Sequence, residues 1–183
     1  MGGKGPSKGA NFEREVCKIL SLWFTQGKRD DIFWRTSGSG ARAKTRMKQG
    51  MKTFGQYGDV QATDPIGQPL IDLCIIEIKR GYGSVSCSDA IDVPINKNTI
   101  WREWISKLEK DRKEAGVPFW LLITKRNRRE TIVFMPRQFR NYLTPSRIHK
   151  TFPHVILNVK GIRIYGAPLK PFLKSINPKV LHG

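Results

Sequence analysis

Acidic residues are scarce in this chain: 15 Asp+Glu stand against 33 Lys+Arg in 183 residues, a formal charge of +18. With a pI near 10.2, that imbalance points to a polyanionic partner, and nucleic acid is the commonest one. An anionic membrane surface is the rival, but it calls for a long basic amphipathic helix, and none is visible. Long apolar runs are missing as well. The densest, Phe119-Trp120-Leu121-Leu122-Ile123, is the size of a strand and far below the ~20 residues of a membrane span. Cysteine is limited to Cys17, Cys74 and Cys87, an odd count without metal-ligand spacing, which excludes a disulfide framework and fits a reducing cytoplasm. The opening Met-Gly-Gly-Lys-Gly-Pro has no apolar stretch of a secretion signal, and Pro6 breaks the myristoylation pattern. Apolar residues are not scarce. At 39% hydrophobic and 10% aromatic, the composition supports an ordered core, and a chain of this length suits one domain.

The few acids are also unevenly spread. All 15 lie before residue 136, while 136–183 carries Arg137, Arg140, Arg147, Lys150, Lys160, Arg163, Lys170, Lys174 and Lys179 and no acid at all. A second acid-free stretch, 42–58, holds Arg42, Lys44, Arg46, Lys48 and Lys52 among Gly, Thr and Gln. Such segments are usually solvated loops or tails. In a chain this basic they are the expected phosphate contacts, each adding to a salt-dependent affinity.

Hydrophobic periodicity predicts a helix over 10–26, with Phe12, Val16, Ile19, Leu20 and Trp23 on one face and Gly27 as its stop. A short strand, Phe33 to Thr36, runs into the loop Ser37-Gly38-Ser39-Gly40. Residues 57–63 and 70–79 read as two strands of a hairpin around Asp64-Pro65-Ile66-Gly67. A second helix is predicted over 97–115, strands at 119–124 and 131–135, a short helix near 137–143 and a weak strand pair near 155–165. The end, with Pro168, Pro171 and Pro178, reads as a tail. This order predicts an α/β fold, a mixed central sheet flanked by helices.

The strand ending at Lys79 carries the chemistry. Side chains alternate along it, so Leu73, Ile75, Glu77 and Lys79 share one face and Cys74, Ile76 and Ile78 the other. Both faces are apolar, as in a strand buried on two sides, until Glu77 and Lys79 enter a face that Leu73 and Ile75 had kept apolar. A carboxylate and an ammonium at the rim of a core cost desolvation unless they are paired or bind a metal. Gly58-Asp59-Val60 opens the preceding strand, so Asp59, Glu77 and Lys79 are expected to meet at one end. Two neighbouring carboxylates repel, a divalent cation relieves that repulsion, and hard oxygen ligands suit Mg²⁺, with Mn²⁺ able to substitute. Lys79 is placed to position or help deprotonate a water and to stabilise charge on a phosphate.

Asp59 followed by Glu77-Ile78-Lys79 after a hydrophobic strand resembles the signature of the PD-(D/E)xK nucleases. Lys8-Gly9-Ala10-Asn11-Phe12-Glu13-Arg14-Glu15 and Trp34-Arg35-Thr36-Ser37-Gly38-Ser39 resemble, more narrowly, the archaeal-type Holliday junction resolvases. The likeness spans about residues 8–124. It implies a restriction-endonuclease-like fold and Mg²⁺-dependent hydrolysis of phosphodiester bonds in DNA, with a four-way junction as substrate and a homodimer to make two symmetric cuts. It also implies a cytoplasmic location, the host's if the chain is phage-encoded. Carried over by position, Glu13, Asp59 and Glu77 become the metal ligands and, with Lys79, the catalytic set. Arg14, Arg35, Ser37 and Ser39 become phosphate-handling residues, joined by the basic loop 40–58 with Arg42, Lys44, Arg46, Lys48 and Lys52.

The chain departs from that family in its long basic stretch between Ser39 and Asp59, in Gly58 where the motif has proline, and in the residues after Met135. These departures suggest a nuclease core over 1–135 with loop 40–58 inserted, and a basic C-terminal extension over 136–183 packed on the core or trailing it. Two alternatives stay open: a nuclease of the same fold acting on other DNA, and a non-catalytic basic nucleic-acid-binding protein. The near P-loop at Gly38 to Thr45 lacks its second glycine. His149, His154 and His182 lack ligand spacing, and Trp101 and Trp104 sit three apart as core packing does.

Overall fold

The computed structural model describes residues 8–36, 57–94, 96–144 and 152–182. Helix α1 (Lys8–Phe24) buries Phe12, Val16, Leu20 and Phe24 at i, i+4 intervals. It ends where Gly27 takes a positive φ of 87° and its N–H donates to the Leu22 carbonyl at 2.7 Å, a left-handed terminus that glycine adopts without strain. Strand β1 (Phe33–Arg35) follows and pairs antiparallel with β2 (Val60–Ala62), Arg35 facing Val60.

The predicted hairpin does not form. After β2, the Asp64 carboxylate accepts the Ile66 N–H at 3.0 Å and starts a 3₁₀ turn, Pro65–Gly67, which passes directly into helix α2 (Gln68–Leu73). Pro69 lies in the first turn of α2, where its missing N–H removes no helical bond. Strand β3 (Cys74–Arg80) therefore begins four residues later than its apolar pattern suggests, and its ladder partner is β4 (Phe119–Lys125), in parallel, with Glu77 facing Leu122.

Helix α3 (Ile100–Ala115) makes the crossover between β3 and β4. The Thr99 hydroxyl accepts the Arg102 N–H at its start, and Gly116, at φ 72°, closes it. Strands β5 (Thr131–Pro136), β6 (Val155–Val159) and β7 (Ile162–Pro168) complete a five-stranded sheet in the order β3-β4-β5-β7-β6, antiparallel except for the β3–β4 pair. Helix α4 (Arg137–Leu143) follows β5, and α5 (Leu169–Lys174) follows β7.

Strand alternation divides the core into two layers. Ile75, Trp120, Leu122 and Phe134 face α3, against Trp101, Ile105 and Leu108. Ile76, Ile78, Leu121, Ile123 and Met135 face α1, α4 and α5. The proline-rich end is no tail: Leu169, Phe172, Leu173, Ile176 and Leu181 are buried in the second layer. Pro171 falls in the first turn of α5, where proline is compatible with a helix. The result is the mixed α/β architecture that the motif order implies, a central sheet flanked by helices, with the C-terminal half of β3 at the edge nearest the β1–β2 ribbon.

Candidate active site

β3 is an edge strand of the main sheet, and one edge of it carries unpaired backbone groups that need partners. Asp59 supplies them. Its N–H donates to the Ile76 carbonyl at 2.7 Å, and its Oδ2 accepts the Ile78 N–H at 2.7 Å. Asp59 thus brackets Glu77, with its backbone on Ile76 and its carboxylate on Ile78. Thr36, at the end of β1, holds the same segment from the other side: its hydroxyl donates to the Gly58 carbonyl (2.9 Å) and its N–H to the Asp59 carbonyl (3.1 Å).

This seating explains the glycine that replaces the motif's proline. Gly58 has φ 82°, and a Cβ there would stand 2.7 Å from the Ile76 carbonyl oxygen and 3.0 Å from its nitrogen. Proline is locked near φ −65° and cannot adopt this conformation. Only glycine lets the Asp59 segment lie this close to β3.

Glu77 is 5% exposed and is met by two ammonium groups. Lys79 Nζ lies 2.5 Å from Oε1, and Lys107 Nζ, from α3, lies 3.2 Å from Oε1 and 3.1 Å from Oε2. Lys107 also pairs with Asp111 at 2.9 Å. Burial alone would raise the Glu77 carboxyl, but the charges and hydrogen bonds of Lys79 and Lys107 outweigh it and hold the group below its ordinary value. Asp59 is treated the opposite way. Burial, followed by the negative charge of Glu77, pushes it up to about 6, against the pull of the Ile78 N–H and Lys79.

Glu13, on α1, completes this acidic neighbourhood from a distance. It accepts Arg35 Nε at 2.6 Å and adds to the negative field at Asp59. Arg14 turns to Asn11 Oδ1 at 3.0 Å. Cys17 lies within the same field; burial above all, then Glu13, pushes its thiol up to about 12. Of the other sequence-predicted contacts, Ser37, Ser39, Arg42, Lys44, Arg46, Lys48 and Lys52 lie outside the described residues, as does nearly all of loop 40–58. Lys107 was not legible as a site residue, because it comes from a helix far along the chain. Its one signal is Asp111, an acid four residues on that is 7% exposed and lies three residues after the buried Leu108.

Among the described residues no three His, Cys, Asp or Glu side chains cluster closely enough to hold a metal ion. The donor set is therefore a pair, Asp59 and Glu77. Its chemistry fits a divalent cation: Asp59 is a largely buried carboxylate that forms no ion pair among the described residues and stands in the field of a second, ionised one. A cation shared by them would offset both the burial and the repulsion by Glu77 that raise Asp59.

No curated protein and no solved structure matches the chain. A family model does, over residues 4–182, and its description is "Phage putative PDDEXK endonuclease". That span takes in the segment after Met135, whose strands β6 and β7 belong to the same sheet as β3. The carboxylate pair beside a lysine on β3 is what such a nuclease needs, and the match covers nearly the whole sequence: the chain belongs to the phage PDDEXK endonuclease family.

Proposed function

We propose that this endonuclease resolves four-way DNA junctions in a Mg²⁺-dependent reaction, as a homodimer in the cytoplasm of the host cell. Asp59 and Glu77 would hold the ion, with Glu13 as the third acid of the site. The ion, Mg²⁺ or Mn²⁺ in its place, supplies Lewis acidity at the scissile phosphate. The observation that carries this reading is the seating of Asp59 on the two residues flanking Glu77, by its backbone N–H on Ile76 and by its carboxylate on Ile78, with Lys79 on Glu77 itself, all at one sheet edge.

The roles of the side chains follow from their contacts. Lys79 donates to Glu77 Oε1 and is placed to orient the attacking water and to stabilise negative charge on the phosphate. Lys107 is a positioning residue: by pairing with both oxygens of Glu77 it fixes that carboxylate and keeps it ionised. Glu13 orients Arg35, which with Arg14 faces the phosphates of the bound strand. The loop carrying Arg42, Lys44, Arg46, Lys48 and Lys52 supplies the sequence-independent grip on the arms, with Ser37 and Ser39 at its start. A two-fold dimer places two such sites for paired cuts.

A labelled synthetic junction and a linear duplex of the same sequence, each incubated with and without Mg²⁺, test the proposal. The junction is expected to be cut in paired, symmetric positions only with Mg²⁺, and the duplex to survive. Equal rates on both DNAs would leave a nuclease with another target, and binding without cutting would leave a basic binding protein.

A further inference from the structure

On the α3 face of the sheet, next to Lys79, a cleft opens between the segment that follows β3, the start of α3 and the β4–β5 turn. Its walls are aromatic. Tyr82 is 43% exposed and meets Trp104 edge to face, ring centres 4.9 Å apart. Trp101, at 1% exposure, packs on Phe134 at 4.6 Å. The Trp101 indole N–H is buried and has no acceptor among the described residues. The rim carries Lys79 and Arg126, while the ammonium of Lys125 turns to the other face of the sheet and pairs with Glu15 of α1 at 3.1 Å.

These features specify a ligand chemistry. Aromatic walls favour a flat ring, and the basic rim calls for an attached anion. A nucleotide of a DNA strand has both, but a base stacked within a duplex hides its faces from a side chain. We infer that the cleft receives one unpaired DNA base, stacked against Tyr82, whose own phosphate lies on the Lys79–Arg126 rim. This rests on the nuclease reading only in placing the strand beside Lys79. It gives the enzyme a means of selecting branched over continuous DNA, because branch points offer unstacked bases and a continuous duplex does not.

The test reads binding in EDTA, so cleavage plays no part in it. The full chain is titrated with two duplexes of equal length carrying 2-aminopurine, one with that base in a single-nucleotide bulge and one with it paired. The bulged DNA is expected to bind about tenfold more tightly than the paired one, with a change in 2-aminopurine fluorescence on binding that the paired probe lacks. Tyr82→Ala should erase both differences while leaving paired-duplex affinity unchanged, and Tyr82→Phe should keep them. Equal affinity of the wild-type protein for the two probes overturns the inference, whatever the variants do. So does an equal loss on both probes in Tyr82→Ala, or no loss on either. Failure of the nuclease reading shows separately, as absent cutting with Mg²⁺ by a protein that still discriminates the two probes.

Discussion

Two carboxylates of like charge share one sheet edge, and their surroundings separate them. Lysines hold Glu77 ionised, while burial and the charge of Glu77 push Asp59 up to about 6. The ordinary value for an aspartate is 3.8, so the folded, metal-free protein binds the Asp59 proton more tightly than the unfolded chain does. That preference stabilises the fold fully below pH 4 and is lost as the pH rises through about 6. Glu77 acts in the other sense: its contribution is present above 4.5 and is lost as the pH falls. Denaturant titrations in EDTA at stepped pH should therefore show an Asp59-dependent fall in stability between pH 4 and 6, of up to about 2 kcal/mol. Asp59→Asn should be the more stable protein at pH 7 and should lack that fall. Identical pH dependence in the two proteins would mean that the Asp59 carboxyl is not perturbed in the fold. Glu77 and Lys79 stood out in the sequence because strand alternation exposes a polar residue on an apolar face, whereas Asp59 was picked as the acid opening the first strand of a hairpin that does not form. Lys107 was not, since only the tertiary crossover of α3 brings it to Glu77.

At the scale of elements, the site depends on how the β1–β2 ribbon rests on β3. Gly58 is the point of closest approach. Gly58→Ala should cost about 2 kcal/mol for the positive φ and the clash with Ile76, and it should lower cleavage well beyond its effect on stability, because Asp59 is displaced. Thermal melts beside cleavage rates check this; a variant with normal activity and melting temperature would show that the ribbon seats Asp59 in another way. The long, periodic helices α1 and α3 and the strands β4 and β5 were legible to within a few residues. The hairpin was misread because Leu70, Ile71 and Leu73 run on into Cys74 to Ile78 as one apolar block, and such a block does not separate a buried helical turn from a strand. Asp64 as a cap, and proline at 65 and 69, were the local signs of a turn and a helix start. The C-terminal end was misread for the converse reason. Its prolines suggested a chain without structure, but they fall at the end of β7 and in the first turns of short helices, where proline is tolerated, and the apolar residues between them complete a core layer.

At the scale of the whole molecule, a net charge of +18 exceeds what the few internal pairings use, and it suits the DNA that a nuclease family implies as substrate. Replacing Lys44, Arg46 and Lys48 together with Gln should weaken DNA binding and flatten the dependence of log Kd on log salt by about 2 to 3, one unit per lost phosphate contact. An unchanged slope would remove that loop from the interface. The packing of the β1–β2 ribbon and α3 on β3 brings residues 59, 77, 79 and 107, scattered through the sequence, to one edge of that strand, with Glu13 farther off on Arg35. The most direct test of that convergence is the rate of DNA cleavage in Mg²⁺ by the wild-type protein, Asp59→Asn and Glu77→Gln, with DNA affinity measured alongside in Ca²⁺ or EDTA. Both variants should lose on the order of a thousandfold in rate while binding DNA as the wild-type protein does. Cleavage near the wild-type rate by either one would contradict the assignment of this carboxylate pair as the catalytic centre.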